Sequence, residues 1–174
     1  VSELKKVAFI PVANGTRLVT ANCLFVHLQI NLSPLAFELP ALYLPFVNIL
    51  KVLGLQEVLS VACAKGLLAH MRKSWGYHSM NPNEFRAVME ILHFICNEAG
   101  QDITEESGNE LDEAIIPDDG RRLVLARSCV YIDPYGSRFI SSIDVSSLRF
   151  VHPAIPERIC AFLGVKKLSD IVIE

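Results

Sequence analysis

No Cys-x-x-Cys pair occurs among the five cysteines, Cys23, Cys63, Cys96, Cys129 and Cys160. An odd, scattered set of this kind reads as reduced thiols of a nuclear or cytoplasmic protein, with no disulfide framework and no zinc knuckle. A P-loop, a Gly-x-Gly-x-x-Gly turn and a Gly-x-Ser-x-Gly elbow are all missing, so phosphate cradling and serine-hydrolase chemistry have no motif behind them. No stretch reaches the ~18 uninterrupted apolar residues of a spanning helix. The greasiest one, Leu39 to Leu59, is broken by Pro40, Pro45, Asn48, Lys51, Gln56 and Glu57. The start lacks the charged-then-apolar layout of a signal peptide. Basic excess is lacking too: 16 Lys and Arg face 19 Asp and Glu, for a net charge of -3. Direct nucleic-acid binding through counterion release is therefore not expected, and no membrane partner is expected either.

What is present is core material. Hydrophobic residues make up 51% of 174 residues and charged residues 20%, enough for one ordinary domain or two small ones. The chain opens on Val1 and stops at Glu174 just as a helical pattern begins, so it reads as an excerpt of a longer protein. Val7 to Val12 forms a short apolar run before Asn14-Gly15, a dipeptide that favours a tight hairpin turn. Leu18-Val19 and then Leu24 to Leu28 are expected to continue that sheet. From Leu42 to Leu53 the spacing turns helical, with Gly54 as a left-handed stop. Ser60 caps a second expected helix running to about Trp75, with Gly66 weakening its middle. The clearest helix spans Pro82 to Ala99. Asn81 is at its N-cap and Glu84 three residues on, the layout of a capping box. Phe85, Val88, Met89, Leu92, Ile95, Cys96 and Ala99 make one apolar stripe along it. Gln101 to Ala114 then carries six acids and no base, which reads as a solvated linker.

After the linker the opening pattern returns. Ala8-Phe9-Ile10-Pro11 is matched by Ala114-Ile115-Ile116-Pro117, and Gly15 by Gly120. Arg17-Leu18-Val19 is matched by Arg122-Leu123-Val124, and Ala21 by Ala126. Further on, Pro45, Leu53-Gly54-Leu55 and Leu59-Ser60 find Pro156, Leu163-Gly164-Val165 and Leu168-Ser169. The expected fold is α+β, built of two tandem units, each a small antiparallel sheet with packed helices. Residues 1–100 form the first unit, a β-hairpin followed by three helices. Residues 101–113 are the acidic linker, and residues 114–174 are a second unit cut before its long helix.

This ordered set resembles the repeated region of the sacsin and NO VEIN family, most closely its plant NO VEIN branch. The carrying residues are Phe9-Ile10-Pro11 with Gly15, Leu32-Ser33-Pro34 through Leu39-Pro40, and Leu53-Gly54-Leu55-Gln56-Glu57. Asn81-Pro82-Asn83-Glu84-Phe85-Arg86-Ala87-Val88-Met89-Glu90 and Val151-His152-Pro153 with Leu163-Gly164-Val165 complete them. The resemblance covers nearly the whole chain apart from the acidic linker. It implies a very large chaperone-like protein with a histidine-kinase-like (GHKL-type) ATPase domain, associated in plants with the nucleus. That ATPase fold holds nucleotide with an Asp-x-Gly-x-Gly loop, which these residues lack. Asp118-Asp119-Gly120 has no second glycine and falls where the repeat predicts a hairpin turn. No nucleotide-binding residue is carried over, and the segment resembles repeat material outside the ATPase domain.

The remaining chemistry-bearing residues stand alone or in pairs. His93 and Cys96 lie three apart on the long helix and could touch one metal, but a zinc site wants four ligands. His70 and His78 flank the helix end at Trp75, where a pH-sensitive contact is conceivable. Thr104 and Ser107 sit beside glutamates in the linker, in the manner of a phosphorylation or docking segment. None of these outweighs its bland alternative. The sequence assigns no catalytic, cofactor-binding or metal residue, and predicts a non-catalytic structural and protein-interaction module. Its expected partners are neighbouring modules of the same chain and protein clients. The runner-up is a segment completing a nucleotide site or lid, for which a polar cluster gathering Arg17, Arg121 and Arg122 would speak.

Overall fold

The computed structural model describes residues 3–99, 113–142 and 144–172. The fold is α+β: five α-helices and nine short strands among these residues, with two antiparallel hairpins. Residues 101–112 of the expected linker, with Thr104 and Ser107, lie outside them.

The first hairpin pairs β1 (Ile10–Val12) with β2 (Arg17–Val19). Its tip holds three successive left-handed residues, Ala13 (φ 50), Asn14 (φ 57) and Gly15 (φ 84). The loop thus spans four residues and is wider than the two-residue turn that Asn14-Gly15 suggests. A 3-10 turn at Ala21–Cys23 follows, then β3 (Leu24–His27). The expected continuation of the hairpin sheet through Leu24 does not form. Instead β3 is the middle strand of a separate parallel sheet, flanked by β4 (Phe37–Glu38) and β5 (Gln56–Val58). Strands this short cannot declare a parallel partner through alternation, because the partner lies beyond a crossover.

The helical spacing from Leu42 splits in two. Pro45 has no N–H and would crowd the carbonyl four residues back. Ala41–Phe46 is accordingly a 3-10 stretch, and α1 (Val47–Leu53) begins after it. Gly54 ends α1 at φ +117, a region closed to most side chains, and Leu55 N–H closes the cap on the Leu50 carbonyl at 2.9 Å. Helix α2 (Val61–Trp75) starts where Ser60 Oγ accepts from Cys63 N–H at 3.2 Å. Helix α3 (Pro82–Ala99) carries the full capping box. Asn81 Oδ1 accepts from the N–H groups of Asn83 and Glu84, both at 3.0 Å, and Asn81 N–H donates back to Glu84 Oε2 at 2.9 Å. Replacing Asn81 by alanine is expected to cost about 1 kcal/mol, read as a lower urea midpoint. An unchanged midpoint would show that the packed stripe alone holds this helix end.

The second half shows a similar order of elements, without a counterpart of β4 among the described residues. Strands β6 (Ile115–Pro117) and β7 (Leu123–Leu125) form a hairpin, followed by a 3-10 turn at Ala126–Ser128 and β8 (Val130–Tyr131). Later come α4 (Glu157–Phe162), Gly164 at φ +67, β9 (Lys166–Lys167) parallel to β8, and α5 (Leu168–Val172). At the tip of this hairpin Gly120 lies in the turn that the repeat predicts. The left-handed residue is Arg121 (φ 57). A Cβ at Gly120 would stand 3.1 Å from the Arg122 guanidinium, which would have to give by a few tenths of an ångström.

Two hydrophobic clusters organise the packing. The smaller one joins the first hairpin, β3 and α1 through Ile10, Val19, Leu24, Leu50 and Leu53. The larger one spans both halves: Leu68 and Met71 of α2 and Ile91 and Leu92 of α3 sit in it with Ile116, Leu123, Ile159 and Leu163. Hairpin β6–β7 lies against α2, and α4 lies against α3. The α2–α3 loop clamps the second hairpin's tip, with Ser79 Oγ donating to the Gly120 carbonyl at 2.7 Å and Met80 N–H to the Arg121 carbonyl at 2.9 Å.

Candidate functional site

Helix geometry separates the first candidate pair. His93 is exposed on α3 while Cys96 is buried in the large cluster, and among the described residues no group of three His, Cys, Asp or Glu could hold a metal ion. At the other helix end the histidines also part. His78 meets Glu84 Oε2 through Nε2 at 3.0 Å and stands edge-on to Trp75 at 5.3 Å. His70 lies on α2, where its carbonyl accepts from Ser74 Oγ at 2.8 Å.

Burial decides the fate of the thiols. It pushes Cys129 and Cys160 each up to about 11, so both stay protonated at neutral pH and are poor nucleophiles. Burial, and then the Glu157 carboxylate that accepts its hydroxyl at 3.0 Å, likewise raises Tyr131 to about 12.

The three arginines do not converge. Arg17 stands over the Phe37 ring at 5.9 Å, Arg121 over the Phe85 ring at 5.9 Å, and Arg122 turns back to Asp118. Asp118 is fully buried at the end of β6, at the position where the first hairpin has Val12. Its Oδ2 accepts from Arg122 Nη2 at 3.0 Å and Nε at 3.1 Å, and its Oδ1 from Arg122 N–H at 2.9 Å. Arg149 Nε approaches the same carboxylate at 3.9 Å. One buried charge is thus matched by a guanidinium fork and a second cation, the arrangement that makes burial tolerable.

Beside it opens a cleft of about 870 Å³ between the end of α2 and the second hairpin, lined among others by Arg72, Lys73, Glu113, Arg122, Arg127 and Arg149. The cations come from four separate segments, so the sequence carried no local signal for this cleft. Its charge suits anions; Asp118 and Glu113 offset part of it.

Phe85 links the halves. Its ring packs on His152 at 4.4 Å, and Arg121 lies on it as well. His152 Nδ1 accepts from Ala154 N–H at 3.1 Å, which requires an unprotonated nitrogen. Partial burial, then the Arg121 charge, hold its pKa below the ordinary 6.5, against the opposing pull of Asp119 and Asp118. Because the folded value is depressed, the unfolded chain binds the extra proton first as pH falls below about 6.5. The contribution is present above that pH and is lost on acidification through the folded value. His152→Asn keeps an acceptor for Ala154 and should flatten the stability curve between pH 7 and 5. An identical slope in both proteins would refute the assignment.

The remaining feature is apolar. Large hydrophobic residues stand exposed on adjoining elements of the first half: Phe9 and Leu18 on the hairpin, Leu42 and Phe46 on the 3-10 stretch, Ile49 and Val52 on α1. Patches of this kind mark interaction surfaces when they group together.

No family model and no solved structure matches the chain. Among the described residues no helix is long and apolar enough to cross a membrane. The chain is similar to human sacsin, with 25% identity over 154 residues that cover 84% of it and 3% of that far longer protein.

Proposed function

We propose that this chain is a packing and protein-interaction module of a very large, sacsin-like, chaperone-like protein. Residues 1–100 are one complete unit, 101–113 an acidic linker and 114–174 the beginning of a second. The reading takes the protein to belong with the NO VEIN branch, to act in the nucleus or cytoplasm and to carry a histidine-kinase-like ATPase domain elsewhere. The observation that carries it is the set of exposed large apolar side chains on the first hairpin, the 3-10 stretch and α1. The recurring order of elements and the similarity to human sacsin support it. The module contributes contacts: it fixes neighbouring units relative to one another and offers surface to client chains.

The test is a paired substitution on that face. Leu42→Glu with Ile49→Glu should abolish binding of an apolar dye and leave the melting temperature nearly unchanged, since both side chains are exposed. Dye binding that survives the two charges would sink the proposal.

A second reading is favoured by the basic cleft: the segment completes a nucleotide site or lid. Thermal unfolding with magnesium-ATP separates the two, because ligand at 100 times its Kd adds about 2.7 kcal/mol to the folded state. A saturable rise would favour the nucleotide reading; no rise would leave the interaction module.

A further inference from the structure

Some equivalent positions of the two halves are buried alike and others are not. Ile10 and its counterpart Ile116 are 1% and 0% exposed, and Leu53 and Leu163 are both 8% exposed. Ile10 and Leu53 lie in the smaller cluster, and Ile116 and Leu163 in the large one. Three others diverge. Phe9, Leu18 and Ile49 are 41%, 56% and 63% exposed, whereas their counterparts Ile115, Leu123 and Ile159 are 7%, 4% and 2% exposed. In the second half these residues belong to the elements that lie on α2 and α3, namely β6, β7 and α4, and to the large cluster those helices share. The first half retains the apolar side chains at the same positions and has no helix pair over them among the described residues.

Resting on the interaction-module reading, we infer that the exposed face of the first hairpin and α1 is the seat of a helix pair of the α2–α3 type, belonging to a neighbouring unit of the same kind. The interface is the one already present inside the chain, repeated one step along. It has three parts here. Helix α2, with Ala64, Leu68 and Met71 buried, lies against the hairpin. Helix α3 meets α4, with Arg158 Nη2 donating to Asn97 Oδ1 at 3.2 Å. The α2–α3 loop grips the hairpin tip through Ser79 and Met80. The first hairpin's tip, Ala13 to Thr16, is fully exposed and offers its own turn to such a loop. A second copy of this chain is a poorer occupant, because its own α2–α3 pair is already covered by its second half. The contact is head-to-tail: each unit gives helices to the next and takes them from the one before. A chain that spans 3% of human sacsin leaves ample length for such neighbours in a protein of that size.

The experiment adds the occupant. A copy of residues 59–112 is placed directly ahead of Val1 of the full chain, and helical ellipticity and melting temperature are recorded with and without Ile49→Ala and Leu18→Ala. The added segment should form helix and raise the melting temperature by several degrees. In the extended chain Ile49→Ala and Leu18→Ala should each lower it by several degrees, as Ile159→Ala should in the present chain, where both of the former should be nearly silent. An added segment that forms no helix, or one that forms helix indifferent to Ile49 and Leu18, would overturn the inference. Either result would leave the interaction-module reading to its own dye-binding test, so the two can fail separately. Concentration-dependent dimers of the unextended chain that dissolve on Ile49→Glu would overturn it in favour of a second copy.

Discussion

Ile91→Ala is expected to destabilise the whole chain by about 2–5 kcal/mol, the range for emptying a packed core position of three carbons. For a chain of this size that is a fall in melting temperature on the order of 10 °C. Ile91 is fully buried on α3, and its cluster holds residues of both halves. The loss should therefore be shared. Unfolding followed by Trp75 fluorescence in the first half and by hydrogen exchange of Val130 and Val165 in the second should give one coincident transition. Two separated transitions, with only the first moved by Ile91→Ala, would mean that residues 1–100 and 114–174 are independent bodies that merely touch.

Gly136→Ala should cost about 3 kcal/mol through a different cause. A Cβ at this position would stand 2.6 Å from Asp133 Oδ1, 2.8 Å from Leu168 Cβ and 2.8 Å from Ser169 N. One of these neighbours is backbone and Leu168 is fully buried, so no side-chain rotation relieves the clash. Overpacking alone costs about 1–3 kcal/mol. The displaced Asp133 adds to it, because its buried carboxylate accepts from Ser169 N–H at 3.0 Å and from Tyr135 and Gly136 N–H at 3.2 Å each. Burial raises the Asp133 pKa, and the N–H groups of Ser169, Gly136 and Tyr135 together outweigh it, leaving the group below 3.8. Its contribution is consequently whole above the ordinary carboxylate range and is lost as pH falls through the depressed folded value. Asp133→Asn should lose stability at neutral pH and be less acid-sensitive than the parent. If Gly136→Ala melts within a degree of the parent, the close approach of this loop to α5 is not what holds the C-terminal elements.

What could be read from the sequence follows how local each cause is. The α3 capping box, the Ser60 cap and the Gly54 stop involve partners within five residues, and all three were legible. The strand at Leu24 was legible as a strand, but its partners at Phe37 and Gln56 depend on crossovers that leave no pattern in a run of four residues. Asp133 carries no local signal: the donor that most distinguishes its environment is Ser169, 36 residues away. The basic cleft escaped for the same reason, since Arg72, Arg122 and Arg149 become neighbours only after the second half docks on α2. Gly120 falls in the turn where the repeat predicts one, while the left-handed residue there is Arg121, for which the sequence carries no signal.

The grip of Ser79 on Gly120 joins residues 41 apart. Closing so long a segment is entropically dear compared with zipping α2 against α3, whose loop is only a few residues. Order in time follows from that difference. The helix hairpin is expected to assemble early from near neighbours, with the second β-hairpin arriving afterwards on a surface already made for it. Ser79→Ala should accordingly hasten unfolding and leave the refolding rate almost untouched. The α2–α3 pair is in this sense a template, and the clamp is a latch that closes last.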